Sequence, residues 1–182
     1  MTKSLLQILD ASLFPAALMI AGKFIGLYIT LELFAVEWGV ENSPNNFFST
    51  RPVLYSEDIL LVSTNSDLFL LFVMLLGFSF YVVKATFFHD THIDPKILAR
   101  LAVAGLLGLV SSSYEIYRHA TVWLIFVWVT NITILINALS GKTESWVVVV
   151  GMSASLLMTI ILLRDVVFEI KLSRENLGRS KF

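Results

Sequence analysis

The sequence predicts an all-α polytopic membrane helical bundle, with four transmembrane helices plus one cytoplasmic interfacial or re-entrant helix. Three observations lead there. Hydrophobic residues make up 57% of the 182, above the roughly 45–50% of a soluble domain, and mean hydropathy is +0.80. The excess falls in runs near the ~20 residues a helix needs to cross a hydrocarbon core. Basic residues crowd the segments that four crossings would place on one side.

The first span is expected over about residues 13–36. Ser12 offers a helix cap, and Pro15 falls in the first turn, where its missing N–H costs little. Gln7 and Asp10 interrupt the preceding apolar stretch, so the start does not read as a cleaved signal peptide. Residues 37–65 form a polar loop, with Pro44, Pro52 and several Asn and Ser favouring turns. The end of that loop, residues 58–66, reads as a helical turn or a segment lying flat on the membrane. The second span covers about 67–85.

Asp94-Pro95 is a helix start, a capping acid followed by proline. The apolar stretch of residues 97–110 contains Arg100. Its length suits an interfacial piece better than a crossing. Lys96 and Arg100 share one face, and Leu98 and Leu101 lie on the other. The interfacial helix is therefore expected over 94–111. The third and fourth spans cover about 120–139 and 145–168, joined by the tight turn Ser140-Gly141-Lys142. A basic tail, residues 171–182, follows. The whole chain, 1–182, reads as a single integral membrane domain.

Charge decides between four spans and five. If residues 97–116 crossed, the Lys and Arg would divide almost evenly between the two sides. With four spans, Lys3, Lys84, Lys96, Arg100, Arg118, Arg164, Lys171, Arg174, Arg179 and Lys181 share a side, against Arg51 and Lys142 opposite. Short loops rich in Lys and Arg stay cytoplasmic, so both termini are expected there. A bacterial inner membrane is the expected location. Trp38, Trp123 and Trp146 read as interface anchors.

Several polar residues fall inside the spans. Lys23 sits near mid-depth in the first, where an ammonium costs about 3 kcal/mol on insertion scales. Asn131 lies at similar depth in the third and is a candidate hydrogen-bond partner for it. Glu32 is nearer the outer surface. Together they suggest either an ion or proton relay or a packing device. Gly22 with Gly26, and Gly151 with Ser155, supply small faces that let helices approach closely, within the chain or between chains.

His89, Asp90 and His92 lie between the second span and Asp94, and four spans put His119 on the same side. Imidazoles with carboxylates can hold a divalent metal, although Asp90 and Asp94 also suit helix capping. No cysteine is present, which removes thiolate ligands and nucleophiles. HExxH, GxSxG, P-loop and GxGxxG motifs are missing. A net charge of −1 offers no field for nucleic acid.

The expected function is thus non-enzymatic: a small subunit or scaffold of a membrane complex, partnered by the lipid bilayer and by another membrane protein or a second copy. The alternatives are a transporter or channel component moving protons or cations, and a metal-binding membrane enzyme.

Overall fold

The computed structural model describes residues 3–41, 51–54, 58–88, 93–110 and 112–179. The elements run α1 (Lys3–Leu33), β1 (Trp38–Glu41), β2 (Arg51–Leu54), α2 (Ile59–Phe87), α3 (Pro95–Val103), a 3₁₀ turn (Leu107–Leu109), α4 (Ser113–Leu139) and α5 (Ser145–Arg179). Four of the helices carry stretches of 26 to 29 residues long and apolar enough to cross a membrane. At 1.5 Å per residue these reach roughly 39–44 Å, more than the ~30 Å hydrocarbon core.

The helices alternate in direction. Gly22 of α1 packs beside Leu70 and Val73 of α2, and Gly26 beside Ser66 and Phe69. The α1 number rises as the α2 number falls, so the two are antiparallel. Tyr81 meets His119 while Asp67 meets Asn137, so α2 and α4 are antiparallel as well. Asn131 bonds Ser155 while Tyr117 bonds Asp165, which reverses α5 against α4. The start of α1 and the end of α5 therefore share one end of the bundle, the tail end. The α4–α5 connection marks the other, the turn end. α3 has nine residues, about 14 Å of rise, so it is too short for a fifth crossing.

α2 and α4 form the central pair, and each packs against both α1 and α5. Their seam is read at helical spacing. Leu70, Met74, Phe78, Val82 and Ala85 of α2 meet Ile116, Ala120, Trp123 and Val127 of α4. Residues three and four apart lie on one face of a helix, so each seam is a single stripe. Lipid supplies no hydrophobic drive between helices, and close van der Waals packing has to hold them. Gly77 makes the closest fit. A Cβ there would lie 2.1 Å from the Trp123 ring, so the indole lies directly on the α2 backbone.

Several boundaries differ from the sequence-based expectation. α1 begins at Lys3, so Ser12 is no cap. Its hydroxyl donates to the Leu9 carbonyl at 2.9 Å. Pro15 is inside the helix, where it deprives the Ala11 carbonyl of its usual donor. α2 begins at Ile59, because Ile59-Leu60-Leu61-Val62 adds an apolar turn ahead of the polar stretch that was read as loop. Asp67 is thereby inside a helix and not at its edge. Within the expected polar loop, β1 and β2 pair as an antiparallel ribbon, Trp38 opposite Leu54 and Glu41 opposite Arg51. α4 begins at Ser113 and so carries Glu115, Arg118 and His119 on its first turns.

Asp94 does cap α3, accepting from the Lys96 N–H at 2.7 Å. The helix stops at Val103, and Gly105 takes a left-handed φ of +70°. The helix expected over 94–111 is therefore cut short. No residue of α3 is buried. α5 runs on as helix to Arg179, through much of the basic tail.

Candidate functional site

The polar residues gather in three layers along the bundle. The first, toward the turn end, is built on Asp67. Its side chain is fully buried, 0% exposed, although it carries a carboxylate. Lys23 Nζ donates to Oδ1 at 2.5 Å. Asn137 Nδ2 and the Thr143 hydroxyl donate to Oδ2 at 3.0 and 2.6 Å. A buried carboxylate costs several kcal/mol unless it is paired and its lone pairs are hydrogen-bonded, and here each oxygen has a donor.

Local structure puts each partner in place. Gly26 lets α1 approach until a Cβ there would be 2.9 Å from that of Phe69. That closeness brings the Lys23 turn onto α2, where the Ser66 hydroxyl donates to the Lys23 carbonyl at 3.0 Å. Asn137 stands on the last turns of α4. Thr143 sits in the α4–α5 connection, pinned by a 3.2 Å contact with Ser63 and by the Glu144 N–H donating to Thr64 at 3.1 Å. Three helices and one connection thus converge on a single carboxylate.

The second layer is Asn131 with Ser155. Asn131 Nδ2 donates to Ser155 Oγ at 2.7 Å and to the Val127 carbonyl at 2.9 Å. Its Oδ1 is buried with no hydrogen-bond partner among the described residues. Gly151 makes room for it, since a Cβ there would lie 2.5 Å from that oxygen. Lys23 and Asn131 therefore do not bond to each other. An ammonium is better satisfied by a charged acceptor than by a neutral amide, and Asp67 offers one.

The third layer is at the tail end. The Tyr117 hydroxyl donates to Asp165 Oδ2 at 2.8 Å, joining α4 to α5. His119 stacks flat on Tyr81 with ring centroids 5.5 Å apart, and its Nδ1 lies 2.8 Å from the Glu115 carbonyl. Arg118 places its guanidinium carbon 5.6 Å from the centre of the Tyr114 ring, and its Nε is buried with no hydrogen-bond partner among the described residues. Between this layer and Asn131 the seam is apolar: Met74, Phe78, Trp123 and Val127 are all 1% exposed or less.

The remaining expected residues divide as follows. Gly22, Gly26, Gly151 and Ser155 all face neighbouring helices of the same chain. Glu32 is exposed near the end of α1, beyond Lys23 on the same helix. Trp123 is no interface anchor. It is 1% exposed and packed between Phe14 and Tyr81, because its place ten residues into α4 is too deep for a headgroup. Trp38 and Trp146 are both about half exposed, at 55% and 51%. His89, Asp90 and His92 lie outside the described residues, as does any metal site built on them. Among the described residues no group of three His, Asp or Glu side chains comes together to hold a metal.

Sequence reasoning missed Asp67, Asn137 and Thr143. A signal existed. In an antiparallel pair, a lysine ten residues before the end of α1 falls level with an acid eight residues after the start of α2. Counting inward from the connection identifies Asp67, provided the helix is started at Ile59. No protein-family model, curated protein or solved structure matches this chain.

Proposed function

We propose that this chain is a non-enzymatic membrane subunit or scaffold, held in a bacterial inner membrane with its tail end in the cytoplasm. The observation that carries the reading is the closed Asp67 layer. Lys23, Asn137 and Thr143 give each carboxylate oxygen a donor, an arrangement suited to locking helices in register. A carrier of protons or cations needs the opposite, a charged group with an unfilled valence facing a path. The apolar seam from Met74 to Trp123 also favours an architectural role.

The orientation follows from charge. The tail end collects Lys84, Arg118, Arg164 and Lys171, whereas the turn end has Arg51 and Lys142, and cytoplasmic ends carry the basic excess. In this setting α3, with Lys96 and Arg100 fully at its surface, lies along the headgroup layer. The partner is another membrane protein or a second copy, contacting the wide apolar surface of α1, where Phe24 and Tyr28 are 68% and 65% exposed.

Affinity purification in mild detergent tests the reading, with a stoichiometric membrane partner or a dimer as the expected result. Proton or cation flux by the pure protein in sealed liposomes, lost on Asp67→Asn, would overturn it. Reporters fused after residues 113 and 143 test orientation. Cytoplasmic activity is expected at the first and periplasmic activity at the second.

A further inference from the structure

A groove of about 730 Å³ opens at the tail end, walled by α5 and bounded on one side by Thr86 near the end of α2. Ile160, Leu163 and Val167 give it an apolar stretch, and Arg164 and Lys171 add two positive charges. All five of these α5 residues are exposed, so the groove faces the surrounding lipid.

Depth along α5 says which part of a lipid each residue meets. Trp146, half exposed near the start of α5, suits the headgroup layer at the turn end. Arg164 lies 18 residues further on, about 27 Å of rise, close to the ~30 Å thickness of the hydrocarbon core. Its guanidinium therefore stands where acyl chains give way to headgroups. Lys171 is seven residues beyond, about 10 Å further into the headgroup layer, and Ile160 is one turn short of Arg164, among the acyl chains.

Charge then sets the headgroup. Neither Arg164 nor Lys171 has a hydrogen bond or ion pair with any of the described residues. Asp165 also lines the groove, and its Oδ2 already accepts from the Tyr117 hydroxyl of α4. Arg118 and Glu169 line a separate groove, between α1, α4 and α5. Two positive charges thus face one negative charge. A spacing of seven residues puts Arg164 and Lys171 on one face of α5, where a guanidinium fork and an ammonium can close on phosphate oxygens. A headgroup carrying its own ammonium would meet like charge there.

We propose that this groove binds one anionic phospholipid of the phosphatidylglycerol type. Arg164 and Lys171 hold its phosphate, and one acyl chain lies along Ile160 and Leu163 toward the turn end. The lipid site goes beyond the scaffold reading and needs no protein partner.

Native mass spectrometry of the full chain tests it, with added phosphatidylglycerol and phosphatidylethanolamine of matched chains. One phosphatidylglycerol is expected to be retained over phosphatidylethanolamine. Arg164→Gln and Lys171→Gln are each expected to weaken its retention about fivefold, the share of one basic side chain beside an anionic lipid. Lys142→Gln, at the turn end, removes the same charge far from the groove and is expected to leave retention unchanged. Leu163→Trp fills the groove without touching either charge and is expected to displace the lipid. Inorganic phosphate is expected not to compete, since it leaves the apolar stretch uncovered. Equal retention of the two lipids means annular lipid only and overturns the proposal. A loss in Lys142→Gln equal to that in Arg164→Gln means attraction by net charge alone and overturns it too, as does full competition by inorganic phosphate. If Leu163→Trp fails to fold, unchanged retention in both Arg164→Gln and Lys171→Gln overturns the proposal without it.

Discussion

The two ends of this bundle use polar residues in opposite ways. At the turn end a carboxylate is fully buried and each of its oxygens has a donor from the chain itself, through Lys23, Asn137 and Thr143. At the tail end Tyr117 bonds Asp165, yet Arg118 keeps a buried Nε–H with no acceptor among the described residues, beside an open groove. Burial depth explains the contrast. An ion well inside a low-dielectric region has to be neutralised by the fold. One near a helix end can reach the headgroup layer by snorkelling and leave part of its chemistry to lipid. The difference teaches that more of the bundle's stability should reside at the turn end than at the tail end.

The strongest way to break this comparison is Asp67→Leu. It leaves the Lys23 ammonium without its acid and Asn137 and Thr143 without their acceptor. A loss of about 3–5 kcal/mol is expected, the usual cost of breaking a buried pair from one side, measured by unfolding in mixed micelles. The double variant Lys23→Met with Asp67→Leu should recover much of that loss. If the single variant is as stable as the parent, the turn end is not held by this pair.

Next is the seam between the ends. Gly77→Ala would push a methyl into the Trp123 ring and is expected to cost about 1–3 kcal/mol, as overpacking does. Tryptophan emission reports whether the indole has shifted. Tyr117→Phe removes the tail-end bond to Asp165. Its expected cost is smaller, about 0.6 kcal/mol, the average for side-chain hydrogen bonds between membrane helices. Asp165 sits near the end of its span and can recover a partner from water. A cost above that of Asp67→Leu in the same micelles would reverse the assignment of the two ends. The smallest effect belongs to Arg100→Ala on α3, where no residue is buried. Bundle stability there should change by less than about 0.5 kcal/mol.

Much of the fold was legible along the chain. The four spans are apolar runs bounded by polar stretches, and the Asp94-Pro95 start of α3 uses local capping chemistry that needs no tertiary contact. Boundaries were harder. The first turns of α2 contain Ser63, Thr64 and Asn65, which read as loop until the helix brings Ser63 and Thr64 against the α4–α5 connection and Asn65 back onto the Leu61 carbonyl. Of the candidate site, Lys23 and Asn131 stood out as polar residues at depth, but their partners did not. Trp123 misled for the reverse reason, since its composition suits an interface and its position on α4 puts it under Gly77.

What the sequence alone determined is how many helices are apolar and long enough to span a membrane, because transfer into lipid is a sum over consecutive residues and is read along one strand of text. What only the tertiary structure decided is which acid Lys23 meets, and that Asn131 turns instead to Ser155. That choice depends on how each helix is rotated about its own axis. A helix apolar on nearly all sides carries little record of that rotation. Close approach at Gly26 and Gly77, and not any periodic pattern, sets it.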